Sequence, residues 1–172
     1  MKYNYLKDIK LPKVIVEAMK YLGVSEIKGK ASNQTIMQWA KNVGVEKVYT
    51  NDDIAWCGLF VAQVVKKAGF EIVDKPLWAL NWKNFGTKEK IAMLGDVLVF
   101  KRDSGGHVGF YVGEDKDYFH VLGGNQKDQV NIMRIAKNRC VDIRRCDWKI
   151  AQPKSVKQYF ISASGQISLN EA

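Results

Sequence analysis

The sequence has little of the chemistry that forms metal sites or covalent cross-links. It contains three cysteines and two histidines, with no CxxC pair and no cysteine and histidine cluster at metal-site spacing. Three thiols cannot all pair within one chain, so at least one is expected to be free. These shortages argue against a disulfide framework and against structural zinc. We expect no bound metal and no other cofactor.

Long apolar runs are also missing. The N-terminal stretch MKYNYLKDIKLPKVIV lacks the continuous apolar core and small-residue cleavage site of a signal peptide. No later run reaches membrane-spanning length. We therefore expect a protein that is made in the cytoplasm, does not insert into a membrane, and reaches any external target by another route.

Acidic residues are fewer than basic ones. Lys and Arg number 27 against 18 Asp and Glu, which gives a formal charge of +9 and favours an anionic partner. No helix-turn-helix or RNA-binding aromatic motif is present, so nucleic acid is not the expected partner. Eight of the basic residues lie between Arg134 and Lys157, against two acids. Such a run is usually a solvated face, although it could attract an anionic cell wall.

Helical periodicity is confined to the first half of the chain. At 172 residues and 47% hydrophobic, the chain predicts one domain with a substantial core. Three helices are predicted, which begin at Pro12, Ser32 and Asp53 and end at Gly23, Gly44 and Gly69. Cys57 would lie in the first turn of the third helix or just beyond it. The aromatic-rich segment 70–90 is predicted to be a connection with one helical turn.

From residue 92 onward the pattern changes to short β-type runs with turn residues between them. Five strands are predicted: Asp96–Lys101, His107–Val112, Tyr118–Leu122, Val130–Ile135 and Cys140–Arg144. Helices followed by an antiparallel sheet indicate an α+β domain. We assign this domain to residues 1–160, and residues 161–172 to a weakly ordered tail.

A cysteine at a helix start and a histidine at a strand start can form a nucleophile and base pair. The pKa of a thiol falls at a helix N-terminus or beside an imidazole, and Cys57 has the first feature. His107 follows a glycine turn that would hold its ring at a strand start. A third polar group would orient the imidazole, and His120 and Asn125 are both candidates. They are five residues apart, so in a regular strand they would face opposite sides, although the glycines before Asn125 permit a bulge.

The order "WCGLFV", "LGDVLVF", "GHVGFYVGED", "VLGGNQ" resembles the CHAP/NlpC-type cysteine peptidases over residues 12–148. This papain-like superfamily is rich in peptidoglycan hydrolases, and the similarity is to its small bacterial and bacteriophage members. The resemblance implies a papain-like fold with Cys57 as nucleophile and His107 as base. CHAP enzymes carry a Glu shortly before an Asn, where this chain has Gly123 and Asn125, whereas NlpC-type enzymes place the third residue near His120. We favour Asn125, because an amide oxygen can accept the imidazole N–H.

The function implied by this resemblance is hydrolysis of an amide bond in peptidoglycan, in phage lysis or cell-wall remodelling. The enzyme would be an N-acetylmuramoyl-L-alanine amidase or an endopeptidase of the peptide stem or cross-bridge. It would act on the wall after release by a phage or secretion route and need no cofactor. The alternative is a non-catalytic wall-binding or phage structural protein on the same fold. An acyltransferase is a third option, because an acyl-thioester can pass to an amine.

Several other residues have both a structural and a functional interpretation. Three polar residues before Cys57 could help its backbone N–H to bind an oxyanion: Asn51, Asp52 and Asp53. Asp53 is better explained as a helix cap. Cys140 and Cys146 have no candidate base assigned to them and are expected to be inert thiols. Trp78 and Trp82 are either core residues or a wall of the substrate groove.

Overall fold

Helices occupy the first half of the chain and strands the second. The computed structural model describes residues 3–29, 31–148 and 151–168. Their α-helices are α1 (Tyr5–Asp8), α2 (Lys13–Met19), α3 (Gln34–Val43) and α4 (Cys57–Lys67), and short 3-10 helices cover Ala79–Asn84 and Lys137–Arg139. The strands are β1 (Thr87–Lys88), β2 (Val97–Arg102), β3 (Gly105–Glu114), β4 (Tyr118–Gly123), β5 (Asn131–Ala136) and β6 (Cys140–Arg145).

All six strands form one antiparallel sheet in the order β1-β6-β2-β3-β4-β5. The predicted α+β class is therefore confirmed. Each of the five predicted strands is present, and its ends differ from the predicted ones by no more than two residues. The short strand β1 was not predicted. It consists of two exposed residues and exists because it pairs with Arg144 and Arg145 at the end of β6.

The two faces of the sheet contribute to separate apolar clusters, since neighbouring strand residues point to opposite faces. One face joins α4 in the main core, through Val97, Val99, Val108, Phe110, Val112 and Leu122. Phe60 of α4 meets Phe110 edge to face, with ring centroids 6.2 Å apart. The other face forms a smaller cluster that includes Leu98, Phe100, Tyr111, Phe119, Val121 and Ile135.

Two predicted helix starts are wrong by a few residues. Helix α3 is capped by Asn33 rather than Ser32, and the Asn33 side chain accepts a hydrogen bond from the Thr35 N–H at 2.8 Å. Helix α4 begins at Cys57 instead of following a cap at Asp53. The Asp53 N–H instead donates to the Asn51 side chain at 3.1 Å, in a local turn that competes with helix formation.

Part of the predicted tail pairs with the sheet. Ile167 forms a parallel bridge with Arg134, the Ile161 N–H donates to the Glu114 carbonyl at 2.7 Å, and the Ser168 N–H donates to the Arg134 carbonyl at 2.9 Å. The boundary at residue 160 stays a prediction, and residues 169–172 lie outside the described part of the chain. Within the described ranges, no helix is both long enough and apolar enough to cross a membrane.

Candidate active site

Cys57 is the first residue of α4, and its side chain is almost enclosed, with 6% of its surface exposed. Burial raises the pKa of the Cys57 thiol, and this effect outweighs backbone hydrogen bonds from Val108 and Gly58 and the positive charge of Arg102, all of which act to lower it. The position of Cys57 at the start of a helix predicts a lowered pKa for its thiol. The structure gives the opposite direction, so a base is needed to remove the thiol proton.

His107 lies near the start of β3 and is also buried, with 1% exposure. Its ring pairs across the strands with Phe100, at a centroid distance of 6.3 Å. Its Nε2 lies 3.1 Å from the Oε1 of Gln126. The imidazole is therefore held by a neutral amide on one side and an aromatic ring on another.

The contacts of Gln126 determine which way its amide faces. The side-chain nitrogen of Gln126 donates to the Val121 carbonyl at 3.2 Å. It also donates to two oxygens of Asn131, the backbone carbonyl at 2.8 Å and the side-chain oxygen at 3.0 Å. Because three acceptors surround the nitrogen, the amide oxygen must be the atom that faces His107. An oxygen acceptor requires a proton on Nε2, which leaves Nδ1 as the basic nitrogen of the neutral ring.

The sulfur of Cys57 lies beside the residue that follows His107 in the chain. A backbone hydrogen bond joins the sulfur to Val108, whose side chain faces α4. His107 points to the Phe100 side of the sheet. The sulfur therefore lies on the α4 side of the sheet and the imidazole on the Phe100 side, at the glycine-rich start of β3.

Two glycines at the end of β4 allow this end of the sheet to close. A Cβ at Gly124 would lie 2.6 Å from the Cβ of Phe60 and 2.7 Å from the Trp56 ring. A Cβ at Gly123 would lie 2.8 Å from the Gln126 oxygen and 3.1 Å from the His107 Nε2. At each glycine at least one of these distances is below 3.0 Å, which is too short for a Cβ. The double glycine therefore allows a close approach, with Phe60 of α4 and Trp56 on one side and the imidazole with its amide partner on the other.

Gln126, which follows the predicted Asn125, contacts the His107 ring. Asn125 is buried, with 8% exposure, and has a left-handed backbone at φ 55°. A left-handed residue interrupts the regular alternation of a strand, so alternation does not indicate where Gln126 points. The "GGNQ" stretch signalled an amide near the histidine but not which one. The orienting role of Asn125 stays a prediction.

His120 is bound on both sides of its ring. Its Nδ1 lies 2.8 Å from the Tyr3 hydroxyl, and its Nε2 lies 2.9 Å from the Asp115 Oδ2. The Arg134 Nε donates to that same oxygen at 2.7 Å. Burial acts to raise the pKa of Asp115, but hydrogen bonds from Arg134 and His120 outweigh it and the pKa is lowered. We refer to Tyr3, Asp115, His120 and Arg134 as the His120 cluster.

The three oxyanion candidates have different environments. Asp52 is buried, and its Oδ2 accepts the N–H groups of Ile27 and Asn33 at 3.0 and 2.7 Å. It therefore anchors the loop before α3. Asp53 is exposed, and the Asn51 oxygen is used in the turn described above. The Cys57 backbone N–H at the helix start is the better placed donor for an oxyanion.

The basic run does not form one solvated face. Arg134 and Arg145 are buried, and Arg145 pairs with Asp96 at 2.7 Å. Two further cations of the run form ion pairs, Lys137 with Glu114 and Arg144 with Asp142. At least these four of its cations, all in the described part of the chain, therefore hold the sheet and its edges together.

The remaining cysteines have no catalytic surroundings. Burial raises the pKa of Cys140 to about 11 and that of Cys146 to about 12. Among the described residues, no group of three or more His, Cys, Asp or Glu side chains could hold a metal ion.

No protein-family model matches the chain, and a search of curated proteins finds no match. The similarity to CHAP/NlpC-type enzymes therefore rests on the motifs themselves. The function has to be argued from the geometry of the site.

Proposed function

We propose that the chain is a papain-like, cysteine-dependent amidohydrolase that acts on peptidoglycan. In this proposal Cys57 is the nucleophile, His107 the base, and Gln126 the group that orients the imidazole. The observation that carries the proposal is the contact between the His107 Nε2 and the Gln126 oxygen. It leaves Nδ1 as the proton acceptor of a histidine whose chain neighbour, Val108, lies beside the Cys57 sulfur.

The reaction begins when the substrate carbonyl reaches the Cys57 sulfur. His107 Nδ1 takes the thiol proton as the sulfur–carbon bond forms, and the amide oxygen of Gln126 stabilises the resulting imidazolium. The oxyanion of the tetrahedral intermediate accepts a hydrogen bond from the backbone N–H of Cys57. His107 then gives its proton to the leaving amine, and the carbon–nitrogen bond breaks. Water, deprotonated by His107, hydrolyses the thioester and restores the thiol.

The raised pKa of Cys57 sets a condition on this mechanism. Because burial favours the neutral thiol, the resting pair is best described as thiol and neutral imidazole. The proton then moves to His107 as the sulfur–carbon bond forms, so a free thiolate does not accumulate in the buried site. Arg102 favours this transfer, since its charge acts to lower the pKa of Cys57.

The choice of peptidoglycan rests on the motif resemblance and on charge. A formal charge of +9 favours an anionic polymer, and the similar families act on cell walls. The scissile bond is the amide between muramic acid and L-alanine or a peptide bond in the stem or cross-bridge. We place the protein in phage lysis or wall remodelling on the resemblance alone.

A second candidate function is a wall-binding or phage structural protein without catalysis. It is favoured by the 6% exposure of Cys57 and by the raised pKa of its thiol, which are typical of an inert buried cysteine. Such a protein would bind sacculi and release nothing.

Digestion of purified sacculi separates the two candidates. Wild type, Cys57→Ala and Cys146→Ala would be incubated with sacculi from Gram-negative and Gram-positive bacteria, and soluble fragments identified by mass spectrometry. Cys146 is the matched control because it is also buried. We expect release by wild type and Cys146→Ala only. Binding without release by any variant would support the second candidate, and products joined to an added amine would indicate acyl transfer.

A further inference from the structure

Trp78 is exposed, unlike the other tryptophans. It has 68% of its surface exposed, whereas Trp39, Trp56 and Trp82 have 2% or less. The Trp82 indole also has a hydrogen-bond partner, the Pro76 carbonyl at 2.9 Å. Trp82 is therefore a core residue. Trp78 buries little on folding, so the fold does not explain a large aromatic side chain at this position.

The segment that carries Trp78 touches both sides of the candidate active site. A Cβ at Gly58, the residue after the nucleophile, would lie 2.3 Å from the Pro76 carbonyl oxygen. A Cβ at Gly106, the residue before the base, would lie 2.6 Å from the Leu80 side chain. Trp78 lies midway between these two contacts in the chain. The Trp78 backbone is therefore held between the residue after the nucleophile and the residue before the base, and we refer to residues 76–80 as the rim.

The backbone on either side of Trp78 is held in place. Its N–H donates to the Lys75 carbonyl at 3.0 Å, and its carbonyl accepts from the Asn81 N–H at 2.9 Å. A binding surface that is already ordered loses little conformational entropy when a ligand binds.

A polar depression continues from this segment. Its volume is about 500 Å³, and it is lined by Ile72, Val73, Asp74, Lys75, Asn81 and Asn84. Asn81 joins the depression to the rim, because its N–H is bound to the Trp78 carbonyl. Carboxylate, ammonium and amide groups on the segment that carries an exposed indole can bind a ligand that is apolar on one face and rich in hydroxyls at its edge.

We propose that Trp78 and this depression form a glycan subsite, in which the indole stacks on a sugar ring of the wall polymer. The inference rests on the proposed function and makes it more specific. With a sugar ring beside the nucleophile, the scissile bond is the amide between muramic acid and L-alanine. Asp74 and Lys75 both line the depression, so their charges balance, which favours a neutral sugar over a charged group.

Binding to the Cys57→Ala protein tests the subsite without turnover. The ligands are N-acetylmuramyl-L-alanyl-D-isoglutamine and the same dipeptide without the sugar, measured by titration calorimetry. Trp78→Ala is compared with Phe160→Ala, whose parent side chain is 76% exposed and lies on the segment that pairs with Glu114. We expect Trp78→Ala to weaken muramyl dipeptide binding about tenfold, the size of one lost aromatic contact. Trp78→Ala is expected to leave binding of the bare dipeptide unchanged. Phe160→Ala is expected to leave the binding of both ligands unchanged.

The outcomes separate this inference from the proposed function. Equal loss for both ligands, no loss, or no binding of the muramyl dipeptide would overturn the glycan subsite. Cys57-dependent release from sacculi would leave the hydrolase proposal standing in each of those cases. Conversely, sugar-dependent binding that requires Trp78, without any release by wild type, would keep the subsite and refute the hydrolase.

Discussion

His107 on β3 and His120 on β4 are both buried, at 1% and 0% exposure, but they are held by different partners. The ring of His107 meets the neutral amide of Gln126. The ring of His120 lies between a hydroxyl, from Tyr3, and the carboxylate of Asp115. That carboxylate also pairs with Arg134.

The difference concerns what happens when each ring gains a proton. A neutral amide accepts an N–H from either charge state of His107, so this contact leaves the ring able to gain and lose a proton. His120 is instead part of a network whose charges already balance, and it connects β4 to Asp115 and to the N-terminal segment. We infer that burial alone does not distinguish a catalytic histidine from a structural one. The chemistry of the partner does.

The largest effect is expected from replacing the ring of His107. In His107→Gln the new amide can still donate to the Gln126 oxygen, so the local packing is retained while the base is lost. We expect release from sacculi to fall about 10³-fold, in the range for a general base. Initial rates of fragment release would be compared with those of His120→Gln, which is expected to keep most of the wild-type rate. Similar rates for the two variants would contradict the assignment.

For His120→Gln we expect a loss of stability rather than a loss of activity. Removal of the ring weakens its contacts to Asp115 and Tyr3 inside a buried network, and we expect the free energy of unfolding to fall by about 2 kcal/mol. Urea unfolding followed by circular dichroism would measure it, with His107→Gln as the control. A stability unchanged by His120→Gln would show that the cluster does not support the fold.

The sheet could be predicted from the sequence because its signals are local. Alternation and turn residues locate β2 to β6 closely. The start of α4 depends instead on a competition, since the Asp53 N–H is taken by the Asn51 side chain. That outcome is set by the whole turn, which a single capping residue does not reveal.

The candidate site could be predicted only in part. Cys57 and His107 follow from residue type and order. Gln126 does not, because the left-handed residue before it changes the direction of the chain and its amide is turned by acceptors on Val121 and Asn131. The His120 cluster was also missed as a network, since Tyr3, Asp115 and Arg134 come from three distant parts of the chain.

Changing Gln126 would make the surroundings of His107 more like those of His120. Gln126→Glu places a carboxylate against Nε2, which favours the charged imidazole and moves the acid limb of the pH–rate profile to higher pH. Gln126→Ala removes the orienting contact and is expected to lower the rate about tenfold to a hundredfold. Gln129→Glu is the matched charge control and is expected to leave the profile in place. A profile unmoved by Gln126→Glu would argue that another residue orients the ring.

The His120 cluster also predicts how stability depends on pH. Because the pKa of Asp115 is lowered in the fold, its contribution is present above its ordinary value of about 3.9 and is lost as the pH falls towards the lowered value. Asp115→Asn should therefore flatten the decrease in unfolding free energy below about pH 4. Asp117→Asn, which changes an exposed acid nearby, should keep the wild-type slope. Urea unfolding at several acid pH values would measure both slopes.

The smallest expected effect is a difference in reactivity between buried thiols. Cys57 and Cys146 are similarly enclosed, with 6% and 4% exposure, and burial raises the pKa of both. Burial alone therefore predicts similar, slow labelling. A base beside Cys57 predicts that iodoacetamide labels it several-fold faster than Cys146 at neutral pH. His107→Gln should remove that advantage and His120→Gln should not, as measured by mass spectrometry of labelled peptides. Equal labelling in the wild type would mean that His107 does not act on Cys57 in the free protein.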